Sequence, residues 1–208
     1  MAIGDDIKET YNEVGSPITI VSFLTAEETE EFCLYEKYTE QSTEFIRQHV
    51  TVIDVVFDTV LVPGCLVKFE NDVYLVTSKD STRVENEVAY FRSMLYKTNS
   101  TASIYKHFNN PGFDSNYKKL PEFELTHENI PVLFLDETRG TDAENTENVY
   151  YASDSKCVMY IQKYDVGVGD RVKVDEEFFL VENKHSTRLQ GNFVLYLKRI
   201  NDDTTTYW

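Results

Sequence analysis

Cysteine, proline and glycine are all scarce in this chain, with three, five and eight of each. Cys33, Cys65 and Cys157 stand far apart, and no C-x-x-C pair occurs. Two of them sit in apolar runs, "VPGCLVKF" and "SKCVMYI", where a thiol behaves as a small hydrophobe. The histidines are scattered at positions 49, 107, 127 and 185. Neither a disulfide framework nor a zinc site is written here, and no metal or other cofactor is expected. So little glycine and proline excludes a fibrous or low-complexity protein. No window holds the roughly 18 uninterrupted apolar residues that a membrane-crossing helix needs. "MAIGDDIKETYNE" has no basic start leading into an apolar core, so the expectation is a chain that stays in the reducing cytoplasm where it is made.

Positive charge is the other shortage. Twenty Lys and Arg face 36 Asp and Glu, for a net charge of −16. Affinity for a phosphate backbone comes from cations displacing counterions, so the charge argues against wrapping nucleic acid. What remains is plain solubility, a surface along which DNA slides without sticking, or a mimic of DNA.

Hydrophobic residues make up 41% of the chain, with 14 Tyr and 13 Phe, enough to offset chain entropy in a folded protein. A length of 208 residues suits one sizeable domain or two of about 100. Ile3, Ile7, Tyr11 and Val14 recur at helical spacing, and Gly15 and Pro17 end that pattern, so residues 1–16 read as a short helix. Strand patterns follow over 17–99. "ITIVSFL" is followed by an acidic connection, "TAEETEEFCLYEKYTEQS". Val50, Val52 and Val56 share one face of the next strand, and the hairpin "CLVKF…VYLVTS" and the long strand "EVAYFRSMLYKTN" come after it. Residues 100–128 carry two prolines and weak periodicity and read as a connector. The pattern restarts over 129–202 with "IPVLFLDE", a second acidic loop "TRGTDAENTEN", a second hairpin and the strand "NFVLYLKRIN". The tail 203–208 is polar.

"SKDSTR" at 78–83 and "NKHSTR" at 183–188 belong to a repeat. Laying Gly64 on Gly169, 105 positions on, runs without a gap to about Arg92. Lys79/Lys184, Ser81/Ser186, Thr82/Thr187 and Arg83/Arg188 coincide, and apolar positions meet apolar ones. The order of elements extends the match upstream to Pro17 and Pro131. The expected fold is mainly β, with two tandem small antiparallel barrels or sandwiches from an internal duplication. No base recurs beside both serines, since Asp80 in one copy is His185 in the other, so no catalytic residue is assigned. The motif reads as structural: Ser and Thr bonding turn backbone, Arg forking to a carboxylate or to carbonyls. The acidic stretches supply candidate interface residues: Glu27, Glu28, Glu30 and Glu31 in the first, and Asp136, Glu137, Arg139, Asp142 and Glu144 in the second.

"IGDDIKETYNEVGSPITI" together with the two G-x-x-V-K-x6-L-V hairpins resembles the head-closure, or head-to-tail joining, proteins of tailed-bacteriophage necks. The resemblance implies a virion component made in the host cytoplasm. Several copies would form a ring between the portal-containing head and the tail, around a channel that DNA crosses without specific binding. The expected partners are further copies, the portal or an adaptor, and tail proteins, with no membrane. The other readings are an acidic DNA mimic that inhibits a host enzyme, and a carbohydrate- or receptor-binding module using exposed aromatics such as Tyr35, Tyr38 and Trp208.

Overall fold

The computed structural model describes residues 3–36, 48–84, 87–108, 112, 122–136, 157–186 and 191–200. The chain divides into two compact units: Met1–Thr98 with Ser186–Asn192, and Asn99–His185 with Phe193–Trp208.

The first unit opens with α1 (Ile3–Val14), continues through β1 (Ser16–Val21), β2 (Glu28–Glu36), β3 (Val50–Val56), β4 (Leu66–Phe69) and β5 (Asp72–Val84), and ends with β6 (Glu87–Lys97). These strands close in the order β1-β2-β3-β6-β5-β4, with antiparallel neighbours throughout. The second unit holds β7 (Ser100–His107), β8 (Phe123–Asp136), β9 (Cys157–Gln162), β10 (Arg171–Val174), β11 (Glu177–His185) and β12 (Asn192–Ile200). Its closed order, β7-β8-β9-β12-β11-β10, is the same pattern six strands later. The fold is therefore two tandem six-stranded antiparallel barrels, each with its own core. Closure pairs the edges that an open sheet would leave bare. Among the described residues no helix is long and apolar enough to cross a membrane.

The duplication is visible bond by bond. Leu66 faces Leu75 and Phe69 faces Asp72 in the first hairpin; Arg171 faces Leu180 and Val174 faces Glu177 in the second. Gly64 N–H donates to Val76 O and Gly169 N–H to Val181 O, both at 2.9 Å. Even the bulges correspond, between Val76 and Ser78 and between Val181 and Asn183. The spacing of 105 does not reach Arg92, however. Met94 pairs with Ser78 as Tyr196 pairs with Asn183, so the returning strands correspond at 102 and the first hairpin is three residues longer.

Gly64 (φ 96°) and Gly169 (φ 92°) occupy the left-handed region that a Cβ disfavours. A Cβ at Gly169 would meet no atom within 4 Å, so Gly169→Ala isolates the backbone term. Loss of about 1–2 kcal/mol is expected in urea unfolding.

Three expectations need correction. Residues 100–128 are not a connector: they supply β7 and the start of β8, and only Thr98 and Asn99 separate β6 from β7. Thr98 N–H bonds Val73 O at 2.9 Å and Asn99 N–H bonds Val132 O at 3.0 Å, so each linker residue is fastened within its own unit. Pro131 lies on β8, the counterpart of β2, so it does not correspond to Pro17 on β1. The acidic stretch after β1 is largely strand, since Glu28, Glu30 and Glu31 belong to β2.

α1 forms as the spacing indicated, and its turns pack on β2, β3 and β6. Tyr11 is buried while Val14 is 66% exposed, so the apolar face ends one turn early. Burial, with Asp54 next in weight, pushes the Tyr11 phenol up to about 12. β3 is consequently buried on both faces: Ile53 and Val55 point into the barrel core, and Val50, Val52 and Val56 are covered on the other side. All three cysteines are buried, and burial raises the thiols of Cys33 and Cys157 to about 12.

Candidate interaction surface

In a fully antiparallel barrel built in this order, alternate connections open at the same end. In the first barrel that end carries the β1–β2, β3–β4 and β5–β6 connections. The β3–β4 connection is pinned there by one carboxylate from β2. Glu31 Oε1 accepts from Val60 N–H at 3.0 Å, and Glu31 Oε2 accepts from the Thr59 hydroxyl at 2.5 Å. Thr59 Oγ1 in turn accepts from Leu61 N–H at 3.0 Å, and Lys8 on α1 pairs with Asp58. The effect is to drive Leu61 fully into the core while its neighbours face outward, Val60 at 53% and Val62 at 49% exposure. Leu24, in a β1–β2 turn closed by Ala26 N–H to Ser22 O at 2.9 Å, is 90% exposed. Val84 near the tip of the β5–β6 hairpin adds a further exposed apolar side chain. Leu24, Val60, Val62 and Val84 are thus exposed apolar side chains on the connections at this end, and polar bonds hold the β3–β4 connection in place.

The acidic residues read from the sequence sort into two kinds. Glu27 and Glu30 are exposed and form no ion pair among the described residues. Glu28 is tied to Lys68 at 2.5 Å, and Glu31 is spent on the loop. Asp136 sits at the end of β8, its carboxylate nearly buried and bonded by Arg199 at 2.8 Å, so it holds the barrel together and does not project as an interface group. Glu137, Arg139, Asp142 and Glu144 lie outside the described residues.

The repeated Lys-x-Ser-Thr-Arg stretch is structural through its lysine. Lys79 Nζ stands 4.1 Å from the centre of the Phe91 ring, and Lys184 Nζ stands 4.3 Å from that of Phe193. Phe91 and Phe193 are themselves counterparts on the returning strands. Each lysine thus lays its alkyl stem along the barrel and rests its charge on an aromatic face. Lys184 also donates to Val166 O at 2.8 Å. Burial lowers the Lys79 pKa, against the opposing pull of Glu31. Ser81 and Arg83 are exposed on the long hairpin and Thr82 is half-buried; Arg83 forms no ion pair among the described residues, contrary to the expected fork. Ser186 lies just past β11, and Thr187 and Arg188 are outside the described residues.

Where the second barrel places Leu195 in its core, the first places Ser93, fully buried with no hydrogen-bond partner for its hydroxyl among the described residues. An unpaired buried hydroxyl costs free energy, so Ser93→Ala should leave the protein unchanged or up to about 1 kcal/mol more stable. A loss of stability on denaturant titration would mean that the hydroxyl has a bonding role.

Among the described residues no His, Cys, Asp and Glu side chains gather as a metal-holding group. The exposed Val60 and Val62 were missed from sequence because "VLVPGC" reads as one apolar run, and only the barrel turns Leu61 inward and the flanking pair outward.

No protein-family model matches the chain, and no curated protein does. Among solved structures, apo MrkH of K. pneumonia aligns over 96% of this chain and 84% of that one, at 11% identity and a TM-score of 0.18. That score is too low to carry an argument about fold or function.

Proposed function

We propose that the chain is a non-enzymatic structural component that joins other proteins, acting in the neck of a tailed phage as a ring between portal and tail. The observation that carries this reading is the loop end of the first barrel, where polar bonds from Glu31 and Thr59 hold Val60 and Val62 out in solvent. A sealed barrel with a fixed apolar rim is suited to docking. The tandem arrangement supports it further, because two barrels give one chain two docking ends. The net charge of −16 suits a channel wall that repels DNA phosphates and lets the duplex pass. A DNA mimic needs its carboxylates free along one face. Here Glu28, Asp54, Asp72, Asp136 and Asp165 are each paired with a Lys or Arg.

The test is to mix purified protein with the portal complex encoded alongside it and image the particles by negative stain. Added density on the portal ring is expected, and it should disappear with Val60→Asp/Val62→Asp. Bare portals at saturating protein would rule this assignment out.

A further inference from the structure

We draw no further inference here: the strongest candidate, the exposed apolar pair Phe32 and Leu34 on the outer face of β2 in the first barrel, is a surface patch for which nothing in the structure shows what covers it.

Discussion

Phe179→Ala should cost the second barrel about 3–5 kcal/mol, the largest stability loss expected of any single truncation in that core. Phe179 is fully buried, and its ring centre lies 5.1 Å from that of Phe134, with the Arg199 guanidinium 5.8 Å away on the opposite strand. Removing it opens a cavity lined by Val172, Val181 and Leu197, on strands whose pairing resists collapse. The first barrel has Tyr74 at the matching place, 7% exposed, so it is the less completely enclosed of the two. Calorimetry of Phe179→Ala is expected to resolve an early transition for the second unit ahead of the first. A single transition moved as a whole would show that the two units unfold together.

Asp170→Ala is expected to cost about 3 kcal/mol, because it takes a buried carboxylate acceptor from two part-buried backbone donors at once. Asp170 is 4% exposed. Its Oδ1 accepts from His107 N–H at 2.9 Å, its Oδ2 accepts from Gly167 N–H at 2.6 Å, and Lys106 Nζ lies 3.7 Å away. One carboxylate thereby ties the end of β7 to the β9–β10 connection. The isosteric Asp170→Asn is the informative control. Its amide keeps the shape but turns an NH2 toward a backbone N–H, so it should recover little of the loss. Full recovery by Asn would mean that side-chain volume, and not the paired acceptors, is what matters. The first barrel has Cys65 at this position, which is why no such acid was visible as part of the repeat.

The hairpins were legible because their information is local. Gly64 and Gly169 mark left-handed turns, and the strand partners lie within a few residues, so a constant spacing preserves them. Past Val84 the three-residue difference in hairpin length breaks that spacing, and identity alone gives no warning. β7 was unreadable for a different reason. "STASIYKH" presents only Ala102 and Ile104 to the core, too sparse an alternation to stand out from the polar text around it. β2 hid under its acids: Glu28 and Glu30 lie on its solvent side, while Cys33 faces the core, so composition suggested a loop where one face is a wall. The role of the repeated lysine was out of reach altogether, because Phe91 and Phe193 lie on another strand. The exposed pair Val60 and Val62 was equally hidden, since the loop that presents them is held by Glu31, about thirty residues upstream.

Barrel closure also fixes a timetable for synthesis. β3 can complete its pairing only when β6 exists, so a nascent first barrel must hold Ile53 and Val55 unsatisfied until Tyr96 has left the ribosome. Such distant strand pairing makes folding slow, in the millisecond-to-second range typical of small β barrels. Translation at about 5–20 residues per second then gives β1 to β6 several seconds of lead before β10 and β11 emerge, so the hairpin that resembles β4 and β5 arrives too late to take their place.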